Sequence, residues 1–457
     1  QLGIPWLMSR GMVIFQNLIE NRPPATAAFL SLVFRLLPSA EPILIVRMLN
    51  LLLVLALTLL LGEIARRITG SLLAGLCTVI FWALWEPVYG NLLFYFDTLV
   101  GATFALTIFV WLITAERRLA WLAPFLCGVL LGGATLFKQP AWAGVILFAI
   151  WLVFFARRGR QLPAFMIGAL IVPLGAMAIF ASQGTLDAYL FWNYRRYFSG
   201  IPNAGTLSGN TLRKFLLTNI FAPVFLLFTL RSDEKRVRWL VLALWLAGGA
   251  TLLPGWGEIY VMAHLPVLSV MSGIVIASVL SSLDFGLLRT PMRWLREARS
   301  ETLVLAGLAL ALAFGSAWTI VVTYVPGPLG RAGIPAYDEF KPVAARLEAV
   351  RQPGDTLFML PMSDGNPQLY VLTGMLPPGT FINSHKVFLT VPGVVDKLIA
   401  EWEVNPPKLI VDFPQARPEF EPEIVPLVAF MQAHYHPIDQ VDDVPFNGDA
   451  IIYRLND

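Results

Sequence analysis

A chain of 457 residues that is 57% hydrophobic and only 14% charged, against about 25% charged in a soluble domain, carries more apolar surface than a water-soluble core of that length can hide. The net charge of +3 conceals a split: residues 1–324 hold 24 bases and 13 acids, residues 325–457 hold 9 bases and 17 acids, as expected of two domains in different solvents. Cys77 and Cys127 both lie in apolar runs, which excludes a disulfide scaffold or a Cys-rich metal site, and the bases form short clusters without the groove or motif of a nucleic-acid binder.

Residues 1–42 contain an outer-loop stretch, Gly11 to Pro24 (GMVIFQNLIENRPP), followed by ATAAFLSLVFRLLP. That apolar run is too short to span a bilayer and suits an interfacial helix, with Pro23 and Pro24 at a helix start where missing N–H groups are tolerated. A span needs about 20 apolar residues, and ten stretches qualify: 43–64, 72–88, 97–114, 119–136, 140–156, 162–182, 214–231, 238–254, 262–281 and 302–324. Alternate loops hold 15 bases (Arg66 and Arg67 in the first, Arg289 to Arg299 in the last), and the intervening loops hold five, Lys138, Arg195, Arg196, Arg213 and Lys214. The positive-inside rule places the richer set in the cytoplasm. Residues 1–42 and 325–457 are then extracytoplasmic, and one further helix is expected ahead of Gln1, giving an eleven-span protein.

The expected fold is an all-α polytopic membrane bundle over 1–324 with a C-terminal soluble α/β domain over 325–457. In that domain 338–350, 394–404 and 423–434 read as helices, and 356–360, 368–372, 409–413 and 450–455 as strands. Alternation of the two suggests a small layered sheet.

Ionisable groups at span edges are functional candidates because they are costly in lipid. Glu20, Arg22, Glu86, Asp97, Lys138, Arg195, Arg196, Glu258 and His264 all fall at the outer face or just below it. A cavity there, lined by acids and bases, suits a substrate with a lipid tail and an anionic head. Each residue also has a plainer reading. Asp97 is a good helix N-cap, Lys138 can snorkel, and Tyr194, Arg195 and Arg196 in WNYRRYF can form an aromatic belt with basic anchors. Their functional counterpart is a guanidinium pair on a phosphate with rings against a sugar. Glu258, Tyr260 and His264 straddle the start of the ninth span, where a lone histidine is more often structural. His385, His434 and His436 show no zinc-ligand spacing.

The stretch from Gly11 through Pro24 into the interfacial helix resembles the first outer loop of the GT-C superfamily of polytopic glycosyltransferases, whose members include protein O-mannosyltransferases and the aminoarabinose transferase of lipid A. Arg47 to Arg67 is similar to that family's next helix, Asp97 to the acid of its second outer loop, GGATLFKQP at Gly132–Pro140 to its glycine-rich helix end with a lysine, and IYVMAHLPVL at Ile259–Leu268 to its late Leu-Pro helix. The resemblance covers nearly the whole chain. It implies an inverting glycosyltransferase of the bacterial plasma membrane, moving a sugar from a polyprenyl-phosphate donor to a lipid, glycan or protein acceptor by direct displacement. The family's tyrosine falls at Phe15 and its catalytic aspartate at Asn17, whose amide cannot serve as a general base. Either Glu20 or Asp97 takes that role, or this member is impaired. Arg22 matches the basic residue before Pro-Pro that contacts donor phosphate, joined by Lys138, Arg195 and Arg196. Some members use a divalent metal, for which Asp97 and Glu86 would be the ligands. A secondary transporter, a lipid flippase or a non-catalytic scaffold is the competing class.

Overall fold

A computed structural model describes residues 2–38, 41–83, 96–115, 121–196, 219–231, 235–252, 262–282, 340–361, 368–382, 384–444 and 448–456. The chain forms two compact units: residues 1–46, 178–204 and 333–457 make the first, and residues 47–177 and 205–332 the second.

The second unit is a helical bundle. Its helices are α3 (Pro42–Thr69, whose first residues belong to the first unit), α4 (Leu72–Ala83), α5 (Phe96–Thr114), α6 (Leu122–Ala134), α7 (Trp142–Ile150, continued as a π turn over Trp151–Phe155), α8 (Leu162–Ser182, whose last residues belong to the first unit), α10 (Phe221–Arg231), α11 (Lys235–Gly249) and α12 (Leu265–Ser282), with α9 (Leu186–Leu190) in the first unit. They coincide with nine of the ten expected apolar stretches; the tenth, 302–324, lies outside the described residues. Among the described residues, three helical segments are long and apolar enough to cross a membrane: Pro42–Thr69, Phe96–Thr114 and Gly159–Ser182.

One contiguous apolar core runs from Leu57 through Phe104, Phe148 and Phe225 to Ala277. The outward face is also apolar: Leu51, Leu55 and Leu59 on α3, Leu72, Leu76 and Ile80 on α4, and Ile167, Ile171 and Leu174 on α8 are all exposed. Helices apolar on both faces belong in lipid rather than water. Small residues let the backbones approach, as in membrane helix pairs. A Cβ on Gly128 would lie 2.2 Å from the Phe165 carbonyl oxygen, one on Gly132 2.2 Å from that of Ala169, and one on Gly168 2.2 Å from that of Phe125. Helices α6 and α8 therefore touch main chain to main chain.

The arginine-bearing helix ends gather at one end of the bundle. Arg67 lies over the Phe109 ring at 5.5 Å and Arg158 over Trp111 at 5.2 Å. The Arg158 guanidinium donates to the Ala115 carbonyl at 3.0 Å, and the Trp151 indole to that of Arg236 at 2.7 Å.

The first unit joins the chain's start to its end. Helix α1 (Gly3–Ser9) packs against α2 (Ala25–Leu36), the helix expected from the apolar run after Pro24. Helix α9 (Leu186–Leu190) leads into a π turn over Phe191–Arg195. The C-terminal region holds α13 (Lys341–Val350), β1 (Leu357–Leu360), α14 (Gln368–Thr373), α15 (Lys386–Leu389), α16 (Val394–Val404), β2 (Leu409–Asp412), α17 (Val425–His434), β3 (Tyr435–Val444) and β4 (Gly448–Leu455). The sheet order is β1-β2-β4-β3, with β1 and β2 parallel and the other pairs antiparallel. Every residue of β1 and β2 is buried, Asp412 at the end of β2 included, as strands covered on both faces should be.

Two expectations are corrected. Residues 368–372 are helical: Leu369, Tyr370 and Thr373 bury one face, and Gly374, at φ 69°, closes the turn by donating its N–H to the Tyr370 carbonyl at 3.0 Å. A left-handed glycine of this kind is a helix terminator. Strand β3, at the sheet edge, was not among the expected strands.

Candidate functional site

In the second unit, Asp97 occupies the first turn of α5, where the helix dipole favours an anion. Lys138 follows the glycine-rich end of α6, which Thr135 closes by donating its hydroxyl to the Gly132 carbonyl at 2.7 Å. Lys138 itself is extended, at φ −155° and ψ 133°, and starts a short turn over Gln139–Ala141. Its ammonium lies 2.6 Å from Asp97 Oδ1 and 5.6 Å from the Phe96 ring. Asp97 is 0% and Lys138 8% exposed, so the pair is held out of water, where electrostatic forces are strong and a lost partner is expensive.

His264 shares this end of the bundle. A Cβ on Gly101, one turn after Asp97, would lie 2.7 Å from the Met262 carbonyl oxygen, and one on Gly248 2.5 Å from His264 Cβ. The turn over 262–264 is thus seated directly on α5 and α11. The buried His264 Nε2 faces Asn219 Nδ2 at 3.4 Å, and Asn219 Oδ1 accepts the Trp245 indole N–H at 2.8 Å. Asn219 and Trp245 were not among the expected site residues; an amide at the head of an apolar run was the available signal.

In the first unit, Asn17 is exposed, and its Oδ1 accepts the Val13 N–H at 2.5 Å, closing the turn over 13–17. Phe15, at φ 66°, packs its ring edge-on to Phe180 at 5.3 Å and to Tyr189 at 5.5 Å. Glu20 is buried, and its Oε1 accepts the N–H groups of Asn21 at 2.9 Å and Arg22 at 3.1 Å. It shapes the backbone that presents Arg22. The π turn sends its basic residues in different directions: Arg195 is exposed and donates to the Asp187 carbonyl at 2.9 Å, whereas Arg196 is buried. The Tyr189 and Tyr194 hydroxyls are 3.5 Å apart, and burial, with Tyr194 alongside, pushes the Tyr189 phenol up from its usual range.

Glu86, Glu258 and Tyr260 lie outside the described residues. Among the described residues no three His, Cys, Asp or Glu side chains gather as metal ligands. Of the two acids named for a divalent metal, Glu86 lies outside the described residues, and Asp97 holds the Lys138 ammonium on its Oδ1.

No protein-family profile and no curated protein sequence matches the chain. Solved structures do. The aminoarabinose transferase ArnT from Cupriavidus metallidurans, bound to undecaprenyl phosphate, matches at TM-score 0.61 and 13% identity, over 99% of this chain and 92% of that one. Its apo form matches at TM-score 0.56. The oligosaccharyltransferase of Archaeoglobus fulgidus matches at TM-score 0.50 and 13% identity, over 98% of this chain and 69% of that one. At such identity the likeness is one of fold, and it extends over nearly the whole chain. The likeness expected from the sequence therefore holds at the level of architecture: this chain shares the fold of these solved transferases.

Proposed function

We propose that the chain is a multi-pass membrane glycosyltransferase that moves a sugar from a polyprenyl-phosphate donor to an acceptor at the outer membrane face, with inversion at the anomeric carbon. The observation that carries this reading is the buried Asp97–Lys138 pair, at the end of the bundle away from the arginine-bearing loops. Both residues match the positions where the family keeps an acid and a lysine. The C. metallidurans protein was solved with undecaprenyl phosphate, which supports a donor of that class.

In this reading the acceptor oxygen bonds to the anomeric carbon as the bond from that carbon to the lipid-phosphate oxygen breaks. The Lys138 ammonium exchanges Asp97 for the departing phosphate and stabilises its growing charge. The carboxylate released by that exchange accepts the proton of the attacking hydroxyl. Burial keeps water from both groups, so the exchange is sensitive to a ligand's charge. Glu20 is assigned to shaping its loop rather than to proton transfer, because one carboxylate oxygen already serves two main-chain N–H groups. The sequence match supports a phosphate contact for Arg22 and a sugar- or phosphate-facing role for Tyr194, Arg195 and Arg196.

The test is transfer of label from a radioactive polyprenyl-phosphate hexose in membranes containing the full chain. Asp97→Asn is expected to lower transfer by about 10²–10⁴-fold, the usual range for a lost general base, and Lys138→Met to lower it comparably. Transfer unaffected by both would discard the site. Uptake of solute without transfer would replace the enzyme by a transporter.

A further inference from the structure

In the C-terminal region, the turn over 378–381 is gripped on one side by α16. Glu401 accepts the Thr380 N–H at 2.9 Å and its hydroxyl at 2.5 Å. Asn405 donates to the Pro378 carbonyl at 2.5 Å, and the Lys397 ammonium lies 5.4 Å from the centre of the Phe381 ring. A Cβ on Gly379 would lie 2.4 Å from Glu401 Oε2, so a larger residue there would push the carboxylate off Thr380. The turn thus has little freedom of its own.

Its other side meets two segments from the chain's first half. The Thr380 carbonyl accepts the N–H of Ile19, the residue before Glu20, at 3.1 Å. The Phe381 ring packs edge-on to Trp192 at 6.3 Å, and Phe388 of α15 packs on the same indole at 5.3 Å. Trp192 belongs to the π turn that carries Tyr194 and Arg195. One turn of the C-terminal region therefore holds both the loop bearing Glu20 and Arg22 and the turn bearing the arginine pair, all within the first unit.

We propose that Thr380, braced by Glu401, is a positioning residue: it sets the Ile19–Arg22 backbone and thereby the register of the Arg22 guanidinium for the donor phosphate. This rests on the glycosyltransferase reading. It gives the C-terminal region a part in turnover, acting through main chain rather than by touching substrate. A shift of about 1 Å in a group that orients a reactant can cost on the order of a hundredfold, and a loop tied to the C-terminal region through a main-chain hydrogen bond is open to such a shift when that tie loosens.

The experiment compares Glu401→Gln, which keeps an acceptor for Thr380, with Glu401→Ala, which removes it, in the full chain reconstituted in lipid nanodiscs. Two readouts are taken: steady-state transfer from a polyprenyl-phosphate hexose, and hydrogen exchange of the peptide covering residues 15–22. The expected result for Glu401→Ala, in chain that still folds, is faster exchange in that peptide and a donor KM raised on the order of tenfold to a hundredfold. Glu401→Gln should behave as the parent in both. Unchanged exchange in Glu401→Ala would overturn the brace, and faster exchange with unchanged KM would overturn its part in donor binding. If the parent shows no transfer but exchange still rises, the brace stands and the enzymatic reading falls.

Discussion

Lys138 and Asp97 come from helix ends 41 residues apart, yet their charges meet at 2.6 Å in a dry part of the bundle. Breaking a buried pair from one side leaves a desolvated charge, whereas removing both sides does not. Lys138→Met alone is therefore expected to lower the unfolding free energy by about 3–5 kcal/mol, and the joint Asp97→Asn, Lys138→Met variant to recover most of it. Denaturant titration in detergent micelles checks this. A single variant as stable as the parent would show that water reaches the pair.

The two neighbouring glycines at the end of α6 should respond oppositely to substitution. Gly132→Ala drives a methyl into the Ala169 carbonyl, whereas a Cβ on Gly133 meets nothing within 4 Å. Gly133→Ala should be neutral or stabilising by up to about 1 kcal/mol, the helix-propensity difference. Gly132→Ala should destabilise by about 1–3 kcal/mol, as overpacking does. Thermal midpoints of the two variants, measured side by side, decide the matter; equal midpoints would mean the helices separate freely.

Asn17, at the position where the sequence resemblance puts an aspartate, accepts the Val13 N–H. A carboxylate oxygen accepts the same bond, so Asn17→Asp should fold normally and transfer sugar at least as fast as the parent. Asn17→Ala should lose about 0.5–1.5 kcal/mol of stability, the net worth of one hydrogen bond. A folded Asn17→Asp protein without transfer would show that the neutral amide itself is needed.

Asp412 ends β2, fully buried, with the Arg417 guanidinium donating to its Oδ1 at 2.9 Å. Burial raises its carboxyl above the usual range, and Arg417 opposes the shift without cancelling it. A group whose folded value is raised binds its proton more tightly in the native state. Its contribution to stability is therefore complete below the unfolded value of about 4 and is lost as pH rises through the folded value. The unfolding midpoint of the full chain should fall over that interval, and Asp412→Asn should flatten the slope there. An unchanged pH profile in Asp412→Asn would assign the slope to other groups.

The apolar helices were legible because a long apolar run is something composition reveals directly, and three of the described ones are long enough to cross a membrane. Asp97 and Lys138 were each conspicuous as charges at span edges, but no periodicity connects residues on separate helices, so their pairing was not. His264 is buried against Asn219 at 3.4 Å, another contact between separate segments that residue spacing does not reveal. Residues 368–372 show how a five-residue apolar stretch fails to separate helix from strand. Strand β3 was hidden for another reason. Its sequence YHPIDQVDDV carries a proline and several acids and is bulged near Pro437 and Val441, which an edge strand tolerates and an interior one does not. The brace between Thr380 and Ile19 joins opposite ends of the chain through main-chain atoms, and main-chain atoms leave no signature in residue types.

Phe15 carries a last implication. A bulky residue with left-handed backbone torsions is strained by roughly 1–3 kcal/mol, and here the Phe180 and Tyr189 rings pack on it while its N–H donates to the Leu18 carbonyl at 2.7 Å. The bend ahead of Glu20 is thus a catch under load. Trimming either ring would let it spring toward an ordinary torsion and carry the downstream arginine with it, while leaving every charged group in the chain chemically intact.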